Sequence, residues 1–262
     1  MNPSGSFGER IKALSKEKKT NIVLALDPSS EKKDILDYVI KQIKDLSGYC
    51  CAIKINFHVI LPLSRAELQK ITNTAHDYKL QVIADLKLND IYDTNKVVIQ
   101  QLFSMGFDCL IINPFIGKNS LKTITKYAHS LNFGIITLVY MSHPDALEGY
   151  GALVQSEYTS PKNDLPLPLY RTFYDNSLLA GVDGIVIGGN MTEVIEEFSS
   201  GQTSMLPIYS PGLITQGGDV NKALESGSSF LIIGRAILES DSPVNTLKTI
   251  HEVISNKSHR VS

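Results

Sequence analysis

Asp85 and Lys87 stand two residues apart at the end of the apolar run Gln81-Val82-Ile83-Ala84, and Asp90 follows three residues later. Residues two apart on a strand point to the same side, so the spacing predicts a carboxylate and an ammonium on one face. Strands that end this way in a parallel sheet deliver such groups to the carboxyl edge, where active sites of α/β proteins lie. Charges there are costly unless they face one another or a ligand. A lone Asp-x-Lys pair is ordinary surface decoration. Here the preceding run lacks polar alternation, as in a strand covered on both faces, and other strand ends also stop at charged or glycine-rich junctions.

Asp27 closes the apolar run 21–27, and Lys54 lies within the run 51–56. With Asp85, Lys87 and Asp90 they form an alternating array of carboxylates and ammoniums. Opposite charges in contact keep each other ionised despite burial, and a lysine so held can donate a proton in a fixed direction. A second chemistry lies further along. Ser210-Pro211-Gly212-Leu213-Ile214-Thr215-Gln216-Gly217-Gly218-Asp219 and Ile233-Gly234-Arg235 read as glycine-rich loops after the last two strands. Exposed backbone N–H groups, a following helix N-terminus and the Arg235 guanidinium make these a candidate phosphate site.

The elements that position these groups follow from periodicity. Eight apolar, β-branched runs recur at 21–27, 51–56, 82–87, 108–113, 134–140, 184–188, 206–210 and 230–234, with helical patterns such as 33–40 between them. The first five strand ends, Asp27, Lys54, Asp85, Asn113 and Tyr140, are 27, 31, 28 and 27 residues apart. A repeating strand–helix unit present eight times predicts an α/β protein of the (β/α)8 or TIM-barrel class, a single domain over 1–262. A doubly wound open sheet is the alternative, but no early G-x-G-x-x-G turn supports it. The interval from Tyr140 to Gly188 is 48 residues, which predicts an extended loop insertion of about 20 residues within 145–179, a candidate mobile loop or lid. Ser6 to Glu9 has capping-box spacing for a helix covering the barrel floor, and Pro243 fits the first position of a last helix running to about Ser255.

Bulk composition narrows the function classes. The 262 residues are 43% hydrophobic with a net charge of -2 and no basic block, so nucleic-acid binding is not suggested. Cys50, Cys51 and Cys109 lack C-x-x-C spacing and sit in apolar surroundings, which predicts buried free thiols in a reducing compartment. The polar start is no signal peptide and no run approaches a membrane span, so a cytoplasmic soluble protein is expected. His58, His76, His129, His251 and His259 show no metal-ligand spacing, and packing or loop support is the role expected of His143. Phe57, Tyr92 and Tyr140 are expected to pack.

Asp85-x-Lys87-x-x-Asp90-Ile91-x-x-Thr94, Leu26-Asp27, Ile53-Lys54, Met141-Ser142-His143-Pro144, Ser210-Pro211-Gly212, Gln216-Gly217-Gly218 and Gly234-Arg235 occur in this order. Together they resemble the orotidine 5′-phosphate decarboxylase family over essentially the whole barrel. The resemblance implies a carboxy-lyase that makes uridine 5′-phosphate in pyrimidine biosynthesis with no cofactor and no metal. It implies Lys87 as proton donor to C6 of the pyrimidine and Asp85 against the substrate carboxylate. Lys54 and Asp27 would hold the ribose hydroxyls and the charge network, and Ser142 would touch the ring. Pro211, Gln216, Gly217, Gly234 and Arg235 would line the phosphate site, with 212–219 closing over it. Asp90 and Thr94 would reach a neighbouring subunit's site, so a homodimer is implied. The chain departs from the family in the length of the connection after Ser142.

Two rival readings accompany this one. Magnesium-dependent sugar-phosphate enzymes of the same superfamily, 3-keto-L-gulonate 6-phosphate decarboxylase and hexulose phosphate synthase, share Asp-x-Lys-x-x-Asp. They carry a carboxylate on strand two, where Lys54 would repel a divalent ion. A barrel that binds nucleotide without catalysis is the other, and turnover of orotidine 5′-phosphate separates it.

Overall fold

The structure, a computed structural model, describes residues 5–28, 34–155, 166–200, 206–214, 216 and 218–258, the side chains of 256–258 excepted. Eight parallel strands close into a barrel. They are β1 (Ile22–Ala25), β2 (Ala52–Asn56), β3 (Gln81–Leu88), β4 (Cys109–Ile112), β5 (Gly134–Tyr140), β6 (Gly184–Ile187), β7 (Ile208–Ser210) and β8 (Phe230–Ile233). Each pairs with its sequence neighbours, and β8 closes on β1 through Ile22↔Leu231, Val23↔Ile232 and Leu24↔Ile233. Helices separate the strands, as the spacing predicts. No described helix is long and apolar enough to cross a membrane.

The strands alternate between two apolar environments, which is why their sequences look uniformly hydrophobic. Val23, Ile83, Ile111, Ile136, Leu138, Val186, Tyr209, Phe230 and Ile232 pack together in one buried cluster. Leu24, Ile53, Val82, Leu110, Ile135, Ile185, Leu231 and Ile233 belong to the other, with the apolar faces of the helices. Helix α1 (Phe7–Lys18) opens with the predicted capping box, Ser6 and Glu9 each bonding the other's backbone N–H. It drops Phe7 and Ile11 into the first cluster. Phe7 lies so close to Gly134 that a Cβ there would stand 2.5 Å from its ring, so the floor closes only over a glycine. The last helix spans Pro243–Ser258, three residues beyond the expected end.

The connection from β5 to β6 is more than a loop. A short helix (Ala146–Tyr150) leads into Leu153–Val154, which pairs antiparallel with Leu167–Pro168 before a longer helix (Leu169–Ala180). Residues 156–165, between the two short strands, lie outside the described residues. Aromatic contacts fasten the insertion to the barrel. Tyr140 at the end of β5 sits 5.6 Å from the Tyr150 ring and 5.4 Å from Tyr170, Tyr150 sits 6.0 Å from Phe173, and Tyr174 stacks on Phe198 at 3.9 Å. Tyr140 packs, as expected of it, whereas Phe57 is 52% exposed.

The amino-terminal side of the barrel carries the same clasp twice. Asp108, just before β4, accepts the Val82 N–H at 2.8 Å and faces His76 Nε2 at 2.9 Å with one oxygen, and Arg10 at 3.3 Å with the other. Asp183, just before β6, accepts the Ile135 N–H at 2.9 Å and faces His129 Nε2 at 2.9 Å. Each aspartate ties the end of one helix to the start of the neighbouring strand. The hydrogen bond to Asp183 raises the pKa of His129 above its ordinary value; partial burial opposes this and the carboxylate's charge adds to it. A raised histidine stabilises the fold fully below its unfolded value of about 6.5 and loses that effect as pH rises through the folded value. We expect His129→Gln to cost about 0.5 kcal/mol more near pH 5.5 than near pH 8.5, the scale of a partly exposed pair. Urea unfolding at the two pH values checks this; equal costs would contradict it.

Candidate active site

Register explains how the charged residues meet. Ala25 pairs with Lys54 and Lys54 with Ile83, so Asp27 and Asp85 each lie two residues above the partners of Lys54. Two strand residues rise about 6.6 Å, within reach of an extended lysine, so its ammonium climbs one layer to sit between the carboxylates. Lys54 Nζ lies 3.0 Å from Asp27 Oδ2 and 2.8 Å from Asp85 Oδ2. Lys87 Nζ takes the other oxygen of the same carboxylate, 2.7 Å from Asp85 Oδ1. Asp85 and Lys87 meet as predicted, but not through simple alternation. The β3–β4 register shifts between Asp85 and Leu88, and Lys87 has a φ of 47°. The left-handed backbone turns Lys87 back toward its neighbour, at a cost of about 1–2 kcal/mol for a side chain other than glycine.

The network sets its own ionisation. Lys54 is 5% exposed and Asp85 7%. Burial alone would lower the Lys54 pKa, but the Asp85 and Asp27 carboxylates outweigh it and hold the ammonium above its ordinary value. Burial alone would raise Asp85, and the Lys54 and Lys87 ammoniums outweigh it in turn, leaving the carboxyl below its ordinary value. Each group is charged because the others are. The thiols behave oppositely: burial pushes Cys50 up to about 12, and raises Cys51 and Cys109 as well, so all three are unreactive free cysteines.

A cavity of about 310 Å³ opens above this network at the carboxyl ends of the strands. Ala25, Ile111, Leu138, Val186 and Ile232 line it with apolar surface, Asp27, Lys54, Asp85 and Lys87 with charge, and Ser142, Pro211, Gln216, Gly234 and Arg235 with the predicted neutral and cationic groups. Among the described residues Asp27 Oδ1 is buried without a hydrogen-bond partner, a position suited to a ligand hydroxyl. Arg235 is exposed at the rim and makes no ion pair among the described residues. Gly234 allows the β8 turn to approach β1, where a Cβ would stand 2.9 Å from the Ala25 carbonyl. The helix after β7 has less to offer an anion than expected. Asp219 Oδ1 already accepts the first-turn N–H groups of Asn221 and Lys222 at 2.7 and 3.1 Å. Ser142 Oγ donates to Gln216 Oε1 at 2.5 Å, joining the loops after β5 and β7 across the cavity.

Asp90 and Thr94 stand apart from the cavity and are exposed. Asp90 Oδ1 accepts the Ile91 N–H at 2.7 Å, and the buried Asn95 amide donates to the Asp90 carbonyl at 2.6 Å. Gly217 and His259 lie outside the described residues. Asn56, Met141, His143 and Leu213 line the cavity without having been singled out as site residues. Asn56 was findable, since it shares the Lys54 face of β2 two residues on. His143, expected to pack, faces the cavity from the Met-Ser-His-Pro turn.

Ionisable side chains gathered from β1, β2 and β3 into one cavity at the carboxyl ends of a closed parallel barrel define a (β/α)8 barrel of the catalytic kind. Comparison with known proteins narrows the class. The chain matches the orotidine 5′-phosphate decarboxylase / HUMPS family over residues 20–250 and belongs to it. It is 30% identical over 242 residues to orotidine 5′-phosphate decarboxylase of Pyrococcus furiosus, covering 91% of this chain and 100% of that one. The crystal structure of the Pyrococcus horikoshii enzyme matches with a TM-score of 0.70 at 29% identity, covering 89% and 98% of the two chains. The Methanocaldococcus jannaschii enzyme, complexed with the inhibitor BMP, matches at 0.71 and 25% identity, covering 90% and 98%.

Removing Lys54 tests the clamp. Lys54→Met leaves two carboxylates in place with one ammonium fewer, and we expect a loss of about 3 kcal/mol in denaturant unfolding. Adding Asp85→Asn to that variant should restore part of it. A Lys54→Met protein as stable as the parent would show that the ion cluster does not constrain the fold.

Proposed function

We propose that this chain decarboxylates orotidine 5′-phosphate to uridine 5′-phosphate and carbon dioxide, a step of pyrimidine biosynthesis, without cofactor or metal. The observation that carries the reading is the contiguous chain Asp27–Lys54–Asp85–Lys87 facing one cavity. Family membership and the activity of the relatives support the same reaction. The substrate's C6 carboxylate lies against Asp85 in this reading, and its ribose hydroxyls meet Lys54 and Asp27, whose Oδ1 has no hydrogen-bond partner among the described residues. Ser142 touches the pyrimidine, and Pro211, Gln216, Gly217, Gly234 and Arg235 hold the phosphate.

The chemistry follows from charge. Breaking the bond between C6 and its carboxylate releases carbon dioxide and leaves the electron pair on C6, with no adjacent carbonyl to accept it. The Lys87 ammonium sits where that charge develops, and its proton then moves to C6, leaving a neutral amine that recovers a proton from solvent. Because Lys87 is oriented by Asp85 before substrate arrives, little reorganisation is needed at the moment of reaction. Phosphate contacts remote from C6 contribute binding energy to closure of 212–219.

A magnesium-dependent reaction is disfavoured by the donor set. The strand-two position holds Lys54, whose ammonium occupies the space between Asp27 and Asp85. Among the described residues no group of three His, Cys, Asp or Glu side chains could hold a metal ion. We further infer a cytoplasmic homodimer of one barrel domain over 1–262, elaborated at 145–179. Asp90 and Thr94 are exposed beside Ile91, which is 70% exposed, as groups destined for a neighbouring subunit would be.

Ultraviolet-monitored conversion of orotidine 5′-phosphate tests the proposal. The wild type should turn over equally with and without a chelator, and Lys87→Ala should lose at least about a thousandfold in kcat while unfolding at the parent's temperature. Near-normal decarboxylation by that variant would remove Lys87 from its assigned role, and a chelator-sensitive wild type would favour the magnesium reaction.

A further inference from the structure

The loop after β6 has no part in the site as read above, yet it links the two loops that do. Asn190 Nδ2 donates to the Ser142 carbonyl at 3.0 Å. The Gly189 N–H donates to the Pro211 carbonyl at 2.7 Å, and the Gly188 N–H to the Tyr140 carbonyl at 3.0 Å. The segment is wedged between its neighbours with no room to spare. A Cβ on Gly188 would stand 2.7 Å from Ser142 Cα, and one on Gly189 would stand 2.4 Å from Leu213 Cδ2. Gly188 and Gly189 are buried, and the turn they start ends with the Met191 N–H on the Gly188 carbonyl at 2.9 Å. The turn therefore presents the Asn190 amide to Ser142 from a fixed base.

Its partner residue is half of the link across the cavity. Ser142 Oγ donates to Gln216 Oε1 at 2.5 Å, and Gly212, with a φ of 79°, folds the β7 loop so tightly that a Cβ there would stand 2.6 Å from Ser142 Cβ. Ser142 thus meets the phosphate loop through its hydroxyl and the β6 loop through its carbonyl. Only a donor can face that carbonyl, so the role requires the amide nitrogen of Asn190.

We propose that Asn190 is a positioning residue: it holds the Ser142 backbone at the separation from which the hydroxyl latches Gln216, and so sets how firmly the β7 loop closes on a phosphate-bearing ligand. Asn190 is absent from the cavity lining, so it acts through Ser142 and not on the ligand. The inference rests on the phosphate reading of the β7 loop. A latch on the phosphate loop affects nucleotides and leaves nucleosides almost untouched, whereas a general loosening of the barrel rim weakens both.

The measurement is the affinity of wild type, Asn190→Ala, Ser142→Ala and the double variant for uridine 5′-phosphate and for uridine, by calorimetry or competition. Asn190→Ala should bind uridine 5′-phosphate roughly fivefold to tenfold more weakly, the loss of about one hydrogen bond, and uridine within about twofold of wild type. In the Ser142→Ala background the Asn190 substitution should add little further loss, as coupled neighbours do. Equal weakening of both ligands, or full additivity with Ser142→Ala, would overturn the proposal. Failure of the wild type to convert orotidine 5′-phosphate would overturn the proposed reaction alone, because the ratio of nucleotide to nucleoside affinity still decides the role of Asn190.

Discussion

One buried ammonium organises this molecule. Lys54 gives up its hydration inside the barrel and is compensated by two carboxylates at 3.0 and 2.8 Å, on the strands to either side of its own. Neither β1 nor β3 could tolerate its aspartate so placed without the lysine, and the lysine could not remain charged without them. The three strands must therefore keep a register in which both carboxylates stand one layer above the residues that pair with Lys54. Strand pairing and ion pairing specify the same arrangement, and a slip of one residue would turn the charges into the helix-facing layer.

The rest of the cavity depends on that arrangement being dry beneath and open above. Apolar residues from β1, β4, β5, β6 and β8 surround the network, so the ions act through a medium much less polarisable than water. The rim formed by the loops after β5, β7 and β8 bears one guanidinium without a carboxylate partner among the described residues, together with neutral loop groups. A substrate with a carboxylate at one end and a phosphate at the other meets a different electrostatic environment at each. Under the proposed reaction the acidic group would lie against Asp85 and the Lys87 ammonium beside it, and the dianion would be drawn to Arg235. Orientation would then be a property of the charge layout before any loop moves.

Much of this was readable from residue types. Eight runs, the first five at nearly constant spacing, implied the closed barrel, and the ends of those runs carried Asp27, Lys54, Asp85 and Lys87, which the structure gathers in one cavity. What escaped was whatever depended on backbone geometry or on contacts distant in sequence. Asn190 reads as an ordinary loop residue, and only the tertiary approach of the β5 and β6 loops brings its amide to Ser142. The long interval after Tyr140 suggested a loop for 145–179, yet tyrosines and phenylalanines spread over about 60 residues form the packing that gives much of it regular structure. The repeated Asp–His clasp went unseen for the same reason: His76 and Asp108 are 32 residues apart, His129 and Asp183 54.

The most instructive difference concerns Lys87. Alternation alone places residues 85 and 87 on one face with parallel side chains, about 6.6 Å apart along the strand. That geometry would let the two groups approach only by bending two side chains toward each other. The protein instead interrupts the β3–β4 register and puts Lys87 at a positive φ, so the backbone itself redirects the ammonium. Asp85 then has one oxygen held by Lys54 and the other by Lys87, an arrangement that leaves its carboxylate little freedom to rotate. A residue whose backbone is strained at the cavity mouth, and whose side chain still ends 2.7 Å from a fixed partner, is held by the surrounding fold more than by its own preference. Lysine rather than glycine at such a position is costly for folding, and the cost is intelligible if an ammonium is needed at that point in space.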